Sequence, residues 1–261
     1  MSDAIKYTQK LKDSRVLVIG GSSGIGYGVA EACLEHGAHV TISSSNPTRV
    51  DAAIKKLQSA YPSCASKISG HACNLGDESS LEDNVKELFG KVGKLDHIAY
   101  TAGDSLAILP LERASMAQIK QAGMVRFFAP LMVAKHGVGS LARSPSSTIT
   151  LTTGSVSERP IPDWTIIGSY CAGLQAMARG LALDLAPVRV NLVSPGVVDT
   201  ELWAGMPEEQ KAEMMKAVEA KLPTGQAGKV EDVAEAYLYA MKDRNLTGSM
   251  ISTNGGGLLV G

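Results

Sequence analysis

Absences in the sequence narrow what this chain is. Its four cysteines, Cys33, Cys64, Cys73 and Cys171, form no C-x-x-C pair and have no histidine at metal-ligand spacing. They read as reduced thiols, with no metal site and no disulfide framework. There is no surplus of charge either: 25 basic and 26 acidic residues leave a formal net charge of −1, and no polybasic run gathers along the chain. Nucleic acid and anionic membrane are therefore not expected partners. No stretch stays apolar for the ~20 residues that a bilayer requires. The opening MSDAIKYTQKLKD has neither the apolar core of a signal peptide nor the Arg-rich composition of a transit peptide, so a cytoplasmic location is expected. No internal repeat, low-complexity tract or linker interrupts the 261 residues. With 44% hydrophobic content, they are expected to form one domain over 1–261.

What is there is an alternation of short β-branched runs and longer helical patterns. The runs are RVLVIG, HVTIS, KISGHAC, LDHIAY, STITLTT, VRVNLV and SMIST. Between them, helices are expected at 24–36, 47–60, 77–92, about 114–142, 166–186 and 230–242. This order predicts an α/β fold, a doubly wound parallel sheet with helices on both faces. One segment does not fit the alternation. Residues 204–227 are polar and methionine-bearing, with prolines near both ends, and read either as a substrate lid or as a helical excursion on the surface.

RVLVIGGSSGIGYGVAEACLEHG places Gly20, Gly24 and Gly26 at a strand-to-helix turn. Glycines there let the backbone approach a pyrophosphate, and the N–H groups at the helix start face its charge. The second strand ends in ISSSNPTR, where an acidic residue would read the ribose 2′-hydroxyl of NAD. No carboxylate is present. Ser43, Ser44, Ser45 and Asn46 can donate to a 2′-phosphate and Arg49 supplies positive charge, which favours NADP(H) as cofactor. The same residues also suit plain helix capping, with Ser-Asn-Pro opening the helix at 47 and Arg49 in solvent.

GGSSGIG at the first turn, CNLGD after the third strand, TAG after the fourth and NLVSPGVVDTEL after the sixth occur in order. Together they resemble the short-chain dehydrogenase/reductase family over nearly the whole chain. The resemblance implies a Rossmann-type sheet, with Gly20, Ser22, Ser23, Gly24 and Ile25 at the cofactor's phosphates and Asn74 and Leu75 near the adenine. It also places Ala102 and Gly103 beside the cofactor, and Pro195, Gly196, Val198 and Thr200 at the nicotinamide end. Two departures are small: Ile19 stands for the family's usual threonine and Thr101 for its usual asparagine in N-A-G.

The departures at the chemical site are larger. The family typically uses Asn, Ser, Tyr and Lys, the last two four apart on one helix face, so that the ammonium lowers the phenol's pKa. An ungapped alignment through AMARGLALDLAP puts Ile167 at the tyrosine position and Cys171 at the lysine position. Choosing Tyr170 instead, with Leu174 and no lysine four residues on, requires deleting three residues inside a helix and turns the following face by about 60°. The ungapped alignment is preferred. By the same method Arg126 takes the asparagine position, and Thr153, Gly154 and Ser155 cover the serine position.

The segment SERPIPDWTIIG bears on the reaction. It partly resembles the P-D-P-G-W motif of divergent fungal members, reductase/Diels–Alderase enzymes of prenylated indole alkaloid biosynthesis that lack the Tyr-Lys pair. Proline and Trp164 match, and Arg126 also fits that subgroup. Its acidic position is Ile161 here, while Asp163 stands where glycine is expected. Asp163 is thus a candidate replacement acid or counter-ion, or else a helix N-cap. Trp164 is a candidate stacking face, or else a packed loop aromatic.

These readings predict an NADP(H)-dependent reductase of non-standard active site. Its substrate would be a bulky secondary metabolite bearing an iminium or an activated C=C, with a guided intramolecular Diels–Alder cyclisation as an added activity. A non-redox pericyclase or isomerase retaining the cofactor is the enzyme alternative. A catalytically inert nucleotide-binding partner is the alternative of another class. A homodimer or homotetramer is expected, because helices 114–142 and 166–186 carry apolar positions beyond one core-facing stripe and family members usually pair through them.

Overall fold

The alternation along RVLVI decides the layering. In the computed structural model, which describes residues 5–260, β1 (Arg15–Ile19) sends Leu17 and Ile19 into one core and Val16 and Val18 into another. Side chains of a strand point alternately to opposite faces, so a strand apolar at every position needs cover on both. β2 (His39–Ser44) and β4 (His97–Tyr100) flank β1, and β3 (Ile68–Ala72) lies beyond β2. β5 (Thr148–Thr152), β6 (Arg189–Pro195) and β7 (Met250–Thr253) follow beyond β4. The order is β3-β2-β1-β4-β5-β6-β7, with every neighbouring pair parallel.

Helices cover both faces. α1 (Gly24–Glu35), α2 (Pro47–Ala60) and α8 (Val230–Lys242) contribute Val29, Leu34, Leu57 and Tyr237 to the core of Val16 and Val18. On the other face, α3 (Leu81–Val92), α5 (Ala129–Gly137) and α6 (Thr165–Asp184) contribute Leu88, Val133 and Leu174 to the core of Leu17 and Ile19. Each such fully buried aliphatic side chain contributes about 1.5–3 kcal/mol relative to exposure. The sheet is the expected single doubly wound, Rossmann-type domain. Its order reverses between β1 and β4, and the loops leaving those two strands part to opposite faces. A crevice opens there at the carboxyl ends of the strands.

Two expected helices and the segment 204–227 differ in detail. The one placed at 77–92 starts at Leu81, because Asp77 accepts from Ser79 N–H at 3.0 Å and from the Ser80 hydroxyl at 2.9 Å, holding the approach as a side-chain turn. The long helix at 114–142 begins instead at a Ser115/Gln118 capping box, runs through α4 (Met116–Gly123), passes a π-helical turn at Met124–Phe128 and continues as α5. The awkward segment 204–227 contains a further helix, α7 (Glu208–Glu219), with no buried residue.

Candidate functional site

The turn between β1 and α1 is pressed against the end of β4. Gly20 has φ +93°, and a Cβ there would lie 2.5 Å from the Ala102 nitrogen. A Cβ on Gly26 would lie 2.3 Å from both the Gly20 oxygen and Thr101 Oγ1. Glycine at 20 and 26 is thus a steric requirement, and it leaves backbone rather than side chain facing the crevice. The two small family departures meet here, since the Thr101 hydroxyl donates to the Ile19 carbonyl at 3.0 Å.

The crevice is a cleft of about 680 Å³. Gly20, Ser22, Ser23, Gly24 and Ile25 line it at the turn, Ser44, Ser45 and Arg49 at the end of β2, and Asn74 and Leu75 after β3. Ala102, Gly103, Pro195, Gly196, Val198 and Thr200 also line it. Ser43 does not. It is fully buried in β2, and its carbonyl instead accepts from Gly20 and Gly21 N–H at 2.8 and 3.2 Å, bracing the turn from behind. Alternation puts Ser43 into the sheet and its neighbour Ser44 at the cleft. In SSSNPTR the capping reading is seen directly, Asn46 Oδ1 capping α2 by accepting from Arg49 N–H at 3.2 Å, while Arg49 Nη2 donates to Ser45 Oγ at 3.0 Å at the cleft wall. This donor set suits a dinucleotide carrying a 2′-phosphate, with a backbone cradle that any Cβ would fill and a guanidinium beside two hydroxyls where the ribose would lie.

At the other end of the cleft Arg126 projects from the π-helical turn. Gly103 admits it, since a Cβ there would be 2.8 Å from Arg126 Nη1. The guanidinium donates to the Asp104 carbonyl and lies with Nε 3.3 Å from Asp104 Oδ1. At that separation the pair is ionic, yet its angles make no hydrogen bond, so Nε and Oδ1 are both buried without a hydrogen-bonding partner. Burial pushes the Asp104 carboxyl above its ordinary range, and the Arg126 charge partly opposes the shift. Among the described residues lining the cleft, the charged side chains are Arg49, Asp104, Arg126 and Glu201, and there is neither lysine nor tyrosine.

α6 presents Ile167 and Cys171 to the cleft. Tyr170, on the same helix, does not line it. Its ring packs 5.3 Å from that of Phe127 and 6.0 Å from that of Phe128, and its hydroxyl donates to the Ile119 carbonyl at 3.0 Å. Residues 167 and 171 are one turn apart on one face, whereas 170 is rotated away toward α4. Thr153, Gly154 and Ser155 all line the cleft, and the Thr153 hydroxyl donates to the Cys171 carbonyl at 2.8 Å. Burial pushes the Cys171 thiol up.

Trp164 lines the cleft beside Ile161. Asp163 does not: it is exposed, with φ 65°, and the N-cap position of α6 belongs to Trp164. Asp163 is thus neither a cleft-lining acid nor the N-cap of α6, while Trp164 lines the cleft. None of residues 204–227 lines the cleft, whose wall ends at Trp203. Asp104, Glu201 and Trp203 were not singled out from sequence. Asp104 follows TAG directly, so a carboxylate one residue past the cofactor motif was the available signal. Among the described residues no cluster of three His, Cys, Asp or Glu could hold a metal ion, and no helix is long and apolar enough to cross a membrane.

Comparison with known proteins agrees with this geometry. The SDR-like Rossmann domain family matches residues 7–260. A short-chain dehydrogenase/reductase of Gibberella fujikuroi, fsr5, is 48% identical over 99% of this chain and 100% of its own length. That of Malbranchea aurantiaca, malC, is 40% identical over 95% and 96%. The solved MalC reductase/Diels–Alderase superposes with a TM-score of 0.92 at 38% identity, covering 97% of this chain and 100% of that one. A small-chain dehydrogenase in complex with NADPH superposes with a TM-score of 0.79 at 27% identity, covering 95% and 100%. Glycine turn, strand order, cleft and relatives converge: the chain belongs to the short-chain dehydrogenase/reductase family.

Proposed function

We propose that the protein is an NADP(H)-dependent reductase of a bulky secondary metabolite, acting on an iminium or an activated C=C. The observation that carries this reading is the composition of the cleft, where Ile167 and Cys171 face inward and an Asp104–Arg126 ion pair shares the lining with neither lysine nor tyrosine. The cofactor, held along the β1 turn and Arg49, would supply hydride at the Pro195–Thr200 end. A ketone reduced there becomes an alkoxide and needs a proton from a tuned donor. An iminium becomes a neutral amine and needs none, and a conjugated C=C becomes an enolate that a guanidinium can stabilise until water protonates it. Arg126 answers the enolate, and the Asp104 carboxylate with the Trp164 face answers the cation.

A second reading adds an intramolecular Diels–Alder cyclisation. The superposition on the reductase/Diels–Alderase of Malbranchea aurantiaca supports it. Self-association belongs to the same proposal: Leu183 on α6 is 81% exposed and Met116 on α4 70%, and light scattering at micromolar concentration is expected to show a dimer or tetramer. The deciding experiment incubates the protein with NADPH and matched iminium, enone and ketone substrates, following nucleotide absorbance and product mass. Reduction of the iminium or enone with the ketone untouched is expected. Ketone reduction at a comparable rate overturns the reading, and a product of unchanged mass with no NADPH consumed shows cyclisation alone.

A further inference from the structure

Glu201 occupies a backbone donor at the turn where a cofactor's pyrophosphate would sit. Gly24 opens α1, so its N–H has no partner within the helix and carries the positive end of the helix dipole. That N–H donates to Glu201 Oε2 at 2.8 Å. A pyrophosphate seated on this turn calls on the same first-turn donors, and one N–H cannot serve two anions that repel each other. Resting on the dinucleotide reading of the cleft, we propose that Glu201 is an internal competitor for the pyrophosphate subsite and thereby sets the affinity for the cofactor.

The surroundings of Glu201 favour exchange at the side chain alone. Its backbone belongs to a single turn, Glu201–Trp203, held by Trp203 Nε1 donating to the Val198 carbonyl at 2.9 Å. The stem before it is bridged to Gly228, which donates to the Val197 carbonyl at 3.0 Å and accepts from Asp199 N–H at 3.2 Å. The segment also lies directly over the turn, since a Cβ on Gly24 would be 3.3 Å from Thr200 Cβ. Glu201 itself is exposed, and among the described residues its carboxylate forms no salt bridge; the nearby Lys211 pairs with Asp199 at 2.7 Å instead. The carboxylate is thus held at the helix start by one hydrogen bond and leaves by rotating its own side chain. Glu201→Gln removes the competing charge while keeping the shape, and Glu201→Ala frees the donor altogether.

The test titrates NADPH calorimetrically into the wild type, Glu201→Gln, Glu201→Ala and, as a control for general charge, Glu208→Gln on exposed α7. Both Glu201 variants are expected to bind about fivefold more tightly, equivalent to about 1 kcal/mol, with Glu208→Gln unchanged. In nucleotide-free protein the Gly24 amide resonance is expected to move in Glu201→Ala and to stay in Glu208→Gln. If the wild type binds NADPH and the Glu201 variants bind no better, or if the Gly24 amide does not move, the competition is overturned while the dinucleotide reading stands. If no form binds NADPH, the dinucleotide reading fails and takes the competition with it.

Discussion

Arg189 enters the sheet from the amino-terminal ends of the strands and Arg126 from the carboxyl-terminal ends, and the two charges are settled differently. Arg189 is 3% exposed and donates to four carbonyls: Pro145 at 2.6 Å, Ala240 at 2.7 Å, and Leu246 and Met241 at 2.9 Å. Its neighbour His97 is 4% exposed, with Nδ1 2.9 Å from Thr148 Oγ1, and burial pushes its pKa down to about 4, so it is neutral. Arg126 has instead an ion pair with Asp104 in which neither its Nε nor Asp104 Oδ1 has a hydrogen-bonding partner. A closed floor satisfies its buried polar groups, whereas the cleft keeps charge poised toward whatever enters it. Changes at the floor are therefore expected to alter stability, and changes at the cleft to alter chemistry.

The largest expected effect breaks the floor. Arg189→Ala removes the charged donors of four carbonyls and is expected to lower unfolding free energy by about 4 kcal/mol, read from urea denaturation, with Arg189→Lys recovering part of it. An unchanged midpoint would abolish the distinction between floor and cleft. Next is the pH dependence of His97. The unfolded chain takes up this proton near pH 6.5 and the folded chain only near 4, so stability is full above 6.5 and declines as pH falls through that window. The loss is about 3 kcal/mol at about 1.4 kcal/mol per unit, and His97→Gln should flatten that part of the profile.

Arg126→Ala tests the cleft side. Turnover is expected to fall about 10²-fold, equivalent to about 2.7 kcal/mol, while the affinity for NADPH stays within about threefold. A loss of folding instead of turnover would make Arg126 a floor-type residue. Adding Asp104→Asn separates the pair, because each partner alone leaves the other charge buried and the double variant does not. Smaller still, NADPH is expected to bind at least about tenfold more tightly than NADH, and Arg49→Ala should erase most of that difference of about 1.4 kcal/mol. Equal affinities by calorimetry would reject Arg49 as the phosphate reader. Smallest is Tyr170→Phe, which removes the hydrogen bond to the Ile119 carbonyl. It should cost about 1 kcal/mol of stability and change turnover by less than about tenfold. Complete loss of turnover with binding intact would return the phenol to the chemistry.

Much of the cofactor half was legible in order. Strand alternation, the glycine turn and the Asn74, Ala102 and Pro195 motifs each depend on a few adjacent residues, whose backbone geometry is local. Ser43 escaped because three consecutive serines offer no sign of which faces the cleft; pairing in β2 decides it. The substrate half was less legible. Asp163 has the right chemistry, but its φ of 65° and exposed turn take it out of the cleft. Asp104, passed over in sequence, meets Arg126, which stands within the π turn of the long helix, across 22 residues of chain.

The sequence by itself therefore determined the doubly wound sheet, the dinucleotide turn and the side chains offered by α6, since hydrophobic period and glycine placement act over a few residues. Tertiary structure alone decided that Arg126 pairs with Asp104, that Tyr170 turns to Phe127 and Ile119, and that Glu201 reaches Gly24. These contacts join segments 22, 51 and 177 residues apart. No local pattern encodes such separations, because only the closing of the sheet and the phase of its covering helices bring the segments together.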